Sequence, residues 1–142
     1  MTDKELNTIK RKIPEWIEKG FSSKEDIDLI EDFGKYIADA KEGNKGKWFA
    51  GRNAISTSQI RIAYGEVTRL KMQFDETAMM LLRPKIAYAA ARDGGYIFND
   101  FQKIISTGVD AVSASQNKKA AFINLANIFE AILAYHKAYG GN

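Results

Sequence analysis

Arg83-Pro84-Lys85-Ile86-Ala87-Tyr88-Ala89-Ala90-Ala91-Arg92 is the stretch that decides the fold class. Its alanines favour a helix. Pro84 reads as the first helical position, where a missing N–H costs nothing. Gly94-Gly95 supplies a left-handed stop. Helical spacing puts Lys85, Tyr88 or Ala89, and Arg92 on one stripe, while Ile86, Ala87 and Ala90 turn toward a core. A row of cations with an aromatic between them suits a polyanionic strand better than a small substrate.

The same period continues on both sides. Thr77 to Leu82 forms a short amphipathic piece. Before it, a capping box at Ser56 and Gln59 opens a helix through Ile60, Ala63, Tyr64, Val67, Leu70 and Phe74. After it, Ile97/Phe98, Phe101, Ile104/Ile105, Val109 and Val112 form one helix, and Phe122, Leu125, Ile128/Phe129, Ile132 and Tyr135 a last one starting near Asn117.

Toward the N-terminus, Thr2 and Glu5 form a second capping box ahead of Leu6, Ile9, Ile13 and Trp16/Ile17. Pro14 is expected to kink or shorten this helix, which Gly20 ends. Ser22/Ser23 with Glu25/Asp26 open another helix that stops near Gly43. Residues 43–55 read as the one substantial loop, and no segment alternates with period two. The tail 140–142 is expected to fray. The expectation is an all-α, compact single-domain helical bundle of five to seven helices over residues 1–142, with helix 1–20 at its start.

At 142 residues, such a domain buries roughly 68–70% of its extended surface and needs no staple to fold. There is no cysteine, which removes disulfides, thiolate zinc and Fe–S clusters, and a single histidine, His136, removes multi-histidine metal sites. No apolar run is long enough for a membrane span, and the charged start Met-Thr-Asp-Lys-Glu-Leu is no signal peptide. The reading is a soluble, cytoplasmic chain with no membrane contact, no cofactor and no metal.

Net charge is +3, unevenly spread. Residues 1–50 carry ten Lys/Arg against eleven Asp/Glu, and residues 51–142 carry eleven against seven. The excess points to an anionic partner for the second part.

Catalysis finds no support. A nucleophile triad would have to use His136, which sits in the apolar last helix beside Tyr135. Asp93, Asp100 and Asp110 lie on solvent-facing positions. Glu130, set among apolar residues, is expected to pair with Arg61 or Arg92.

Binding fares better. Arg61, Gly65 and Arg69 fall four apart on one helix face, where the glycine either admits a sugar–phosphate backbone or permits close helix packing. The loop interleaves Lys45, Lys47, Trp48, Phe49 and Arg52; its aromatics either stack on bases or anchor the loop. Lys118-Lys119 open the last helix against its dipole, a conflict that a bound phosphate would remove.

Three segments in register resemble one family. They are Ser56-Thr57-Ser58-Gln59-Ile60-Arg61, Leu82 through Arg92, and Phe129-Glu130-Ala131-Ile132-Leu133-Ala134-Tyr135-His136-Lys137. Together they are similar to the small subunit of type III-A CRISPR effector complexes, the Csm small subunit, over about residues 27–139. Two departures stand out: Arg83 where the family usually has lysine, and Ala91 where it has glycine.

The resemblance implies a non-catalytic helical protein, present in several copies stacked as a filament beside the repeated backbone subunit that holds the guide RNA. It implies contact with guide RNA and target RNA, and with the large signature subunit that carries the DNA cleavage and cyclic oligoadenylate synthesis. Arg61, Arg69, Lys85 and Arg92 are the expected principal RNA contacts, with Lys47, Arg52, Lys118 and Lys119 as outer ones. Two other readings compete, a helical protein-interaction adaptor with a basic face and a helical nuclease.

Overall fold

The computed structural model describes all 142 residues. Seven α-helices carry the fold: α1 (Asp3–Lys19), α2 (Lys24–Ile37), α3 (Thr57–Met72), α4 (Glu76–Met80), α5 (Leu82–Asp93), α6 (Tyr96–Ala114) and α7 (Lys118–Ala138). The protein is an all-α bundle, with one small interruption between α2 and α3.

Local chemistry sets the helix ends. Both capping boxes form: the Glu5 N–H donates to the Thr2 hydroxyl at 3.2 Å and the Gln59 N–H to the Ser56 hydroxyl at 3.1 Å. Asn117 caps α7 by accepting from the Ala120 N–H at 3.2 Å. Gly94 ends α5 at φ 74°, a left-handed geometry that glycine adopts without a Cβ penalty.

One connected cluster of 30 buried apolar residues draws on every helix. The 21-residue α7, about 31 Å long, runs through its middle. Two glycines let neighbours approach it closely: a Cβ on Gly34 would lie 2.5 Å from the Tyr135 Cβ, and one on Gly108 would lie 2.5 Å from Leu125 Cδ1. The Asn124 amide on α7 donates to the Ile17 carbonyl at 2.7 Å, serving an orphan acceptor at the end of α1.

Several expectations need correction. Helix α1 passes through Pro14 to Lys19, because the proline sits on the exposed face while Ile13, Trp16 and Ile17 fix the last turns in the core. Helix α2 ends at Ile37, where Asp39 turns the chain at φ 45° and accepts the Asn53 N–H at 3.0 Å. An aspartate tolerates that left-handed conformation.

The expected loop 43–55 begins inside a hairpin, whose two-residue strands β1 (Lys41–Glu42) and β2 (Trp48–Phe49) pair around a 3₁₀ turn at Asn44–Gly46. Pro84 occupies the third position of α5, not the first, still within the turn whose N–H groups have no helical acceptor. Ala87 is exposed, while Ile86 and Ala90 are buried.

Residues 140–142 make contacts with the rest of the fold. Gly141 N–H donates to the His136 carbonyl at 2.8 Å, the Asn142 carbonyl accepts the Thr57 N–H, and the Gly140 backbone packs on Phe49.

Candidate nucleic-acid interface

Helices α3 and α5 lie antiparallel side by side. Gln59 Nε2 at the start of α3 donates to Asp93 Oδ1 at the end of α5, 2.9 Å away. Farther along, the Lys85 ammonium lies close enough to Glu66 to help lower its carboxyl, below the larger effect of the Arg69 hydrogen bond. The pair therefore brings Arg61 and Arg69 on one helix beside Lys85 and Arg92 on the other, all four exposed.

These cations are not equivalent. Arg69 Nη2 binds Glu66 Oε2 at 2.6 Å, and Arg83 Nη1 binds Asp110 Oδ1 at 3.0 Å. Arg61, Lys85 and Arg92 make no ion pair. Gly65 is exposed between Arg61 and Arg69, and a Cβ there would meet nothing within 4 Å. Close helix packing is therefore not its role; it leaves a smooth interval in the row.

The motifs at 56–61, 82–92 and 129–137 thus fall on the start of α3, on α5 and on the C-terminal half of α7. The family model described as Csm2 Type III-A matches the chain over residues 31–142. The protein belongs to the Csm2 family of type III-A. It is accordingly a small subunit of the type III-A CRISPR effector, the Csm complex. No curated protein and no solved structure matches the chain. In this Csm2 chain all three motifs lie inside the matched span, and α1 lies outside it.

The outer cations sit elsewhere. Lys47 and Arg52 are exposed at the hairpin and the turn after it. That region packs on the C-terminal end of α7, where Trp48 meets Tyr139 edge-to-face at 5.0 Å. Lys118 and Lys119 stand at the opposite end of α7, about 30 Å away along its axis. The eight residues are therefore not one patch.

Lys118 Nζ donates to the Ser115 carbonyl at 3.1 Å, so part of its charge is already engaged at the end of α6. Lys119 is exposed and unpaired.

Of the loop aromatics, Trp48 anchors. It is half-buried against Tyr139, with Lys35 Nζ 4.3 Å from its ring centroid and 5.4 Å from that of Tyr139. Phe49 is half-exposed against the Gly140 backbone.

Glu130 departs from expectation. Its side chain is 59% exposed, and its nearest cation is Lys71 at 3.9 Å, neither Arg61 nor Arg92. Its apolar neighbours in sequence point away from it: Asn127, Glu130, Ala134 and Lys137 form the exposed stripe of α7.

The other carboxylates are engaged singly. Asp100 accepts the Tyr36 hydroxyl at 2.6 Å, Asp93 accepts Gln59 and the Gly95 N–H, and Asp110 holds Arg83. No three carboxylate or imidazole side chains cluster as metal ligands would.

His136 is fully buried, and its Nε2 lies 2.7 Å from the Ile55 carbonyl. A carbonyl only accepts, so the proton is on Nε2. Burial holds its pKa below the ordinary value, and the Lys137 charge adds to that against the opposing Ile55 bond. The imidazole is a structural pin between α7 and the segment leading into α3.

Sequence reasoning missed two residues on this face. Glu66 at i−3 from Arg69 was readable as a helix pair. Ile62, 77% exposed beside Arg61, breaks the polar face without a periodic reason.

Proposed function

We propose that the chain is a non-catalytic, RNA-lining subunit of its complex, with copies stacked as a filament along the guide–target duplex beside the repeated backbone subunit. The observation that carries this reading is the α3–α5 surface, where Arg61, Lys85 and Arg92 stand exposed and make no ion pair around a bare Gly65. Phosphates supply the missing anions.

Base pairing with the guide reads the sequence, so the protein needs only charge and shape. Repetition then multiplies a modest patch: each copy binds weakly, while the assembly holds firmly through effective concentration. Arg69 enters this scheme as a secondary contact, since a phosphate must compete with Glu66 for it. Lys47, Arg52, Lys118 and Lys119 are outer contacts that extend the track.

The test is an assembled complex carrying Arg61→Glu and Lys85→Glu in every copy of this subunit. Capture of target RNA falls at least about tenfold, and the salt slope of binding shrinks by about 0.7–0.9 for each phosphate left without its cation. Unchanged capture at physiological salt overturns the reading.

A further inference from the structure

Between α3 and α5 the surface opens into a groove of about 570 Å³, inside the range of about 300–1,000 Å³ typical of ligand pockets. Leu82, Ile86, Phe98 and Phe101 line its buried side, each no more than 4% exposed. Ile62 and Tyr88, which also line it, are 77% and 69% exposed. Large apolar side chains gathered in the open around a cleft mark a surface that something covers.

The charges around the groove select the occupant. Glu66 is hydrogen bonded to Arg69 at 2.6 Å. Asp93 accepts Gln59 Nε2 at 2.9 Å and the Gly95 N–H at 3.0 Å. Both acids are thus engaged, whereas Lys85 and Arg92, also lining the groove, make no ion pair. Tyr88 lies three residues after one cation and four before the other, so all three share a face of α5.

We propose that this groove seats one unpaired base of an RNA strand, its ring against Tyr88 and the apolar floor, with the neighbouring phosphates on Lys85 and Arg92. The proposal rests on the RNA-lining reading and adds a base to what is otherwise recognition of phosphates. A protein would need carboxylates placed on both sides of an apolar knob to fill the slot and meet the two cations. A nucleotide brings both a flat ring and its phosphates. A paired duplex keeps its bases stacked inside, so the groove distinguishes unpaired from paired nucleotides.

The site reads the face of the base, not its edge. Gln59, the neutral amide at the groove, already uses both ends: Oε1 accepts the Ser56 N–H at 2.8 Å and Nε2 donates to Asp93. Little preference among the four bases follows, as for other stacking platforms.

The experiment titrates a short RNA carrying one unpaired 2-aminopurine, and a fully paired control, into the full-length protein and into the assembled complex. Quenching for the unpaired probe alone is expected. Tyr88→Ala lowers affinity for the unpaired probe by about fivefold or more while leaving the paired control unchanged, and Tyr88→Phe retains binding. Ile62→Glu, at another exposed position, blocks the groove independently.

A photo-crosslinking side chain placed at Ile62 in the complex should capture RNA; capture of protein alone overturns the proposal. Wild-type affinity in both Tyr88→Ala and Ile62→Glu also overturns it. If RNA is still bound with its usual salt dependence in that case, the phosphate-lining reading stands without the base. If no RNA binds at all, both readings fall.

Discussion

On the α2–α7 side of the molecule, polar side chains end on distant protein partners; on the α3–α5 side, several end in solvent. Tyr139 donates to Glu31 at 2.7 Å, Tyr36 donates to Asp100 at 2.6 Å, and Asp26 takes Lys12 at 3.0 Å. His136 Nε2–H donates to the Ile55 carbonyl. Three of these join elements far apart in sequence, and Lys12–Asp26 ties α1 to α2. On α3, by contrast, Arg69 has only the local Glu66, and Arg61 has nothing.

The two glycines Gly34 and Gly65 express the same division. One is a point of closest approach between helices and the other faces open space. The first side is arranged to hold the fold, the second to meet a partner.

The strongest way to break this contrast lies in the core. Phe129→Ala removes a ring that packs on both Tyr64 and Phe101, and chemical denaturation should show a loss of about 3–5 kcal/mol. Gly34→Ala should cost about 1–3 kcal/mol, because its methyl group meets Tyr135 and the α7 backbone. A neutral result would show that α2 and α7 are not locked at this point.

Next come two pH steps. Burial alone would raise the Asp26 carboxyl, but the Ser22 N–H and the Lys12 ammonium outweigh it and hold the group near about 2, below its ordinary 3.8. The unfolded chain therefore takes up that proton first, and stability falls as pH drops from 3.8 toward 2. His136, held below 6.5 by burial, gives an earlier loss as pH drops under 6.5. Denaturation midpoints measured from pH 8 to pH 2 should show both, and His136→Asn should abolish only the loss that begins below pH 6.5.

On the open face the effects become small or change sign. Gly65→Ala should stabilise by about 0.5–1 kcal/mol, since the helix gains alanine and nothing is struck. Arg61→Gln should move stability by no more than about 0.5 kcal/mol. A larger loss would assign that arginine to the fold and remove it from the RNA surface.

What the residues disclosed in advance was chiefly local. The boxes Thr2–Glu5 and Ser56–Gln59, the Gly94 stop and the Asn117 cap each depend on atoms within four residues, so they were legible in the chain. The Lys12–Asp26, Tyr36–Asp100 and His136–Ile55 links span 14, 64 and 81 positions and needed the fold.

Two-residue strands are too short for alternation to register, which hid the hairpin. The site was half readable. Helical spacing put Lys85, Tyr88 and Arg92 together, but the antiparallel approach of α3, and with it the groove, is a tertiary fact. Glu130 misled because adjacency in sequence is not adjacency on a helix.

The two tryptophans divide the molecule in one last respect. Trp16 is 1% exposed beside Phe21 in the core, while Trp48 sits half-open against Lys35 and Tyr139 where hairpin and tail meet. The chain thus carries two native fluorophores in unlike surroundings. A soluble quencher will reach the second well before the first, so loosening of the hairpin and tail can be followed separately from melting of the bundle without attaching any dye.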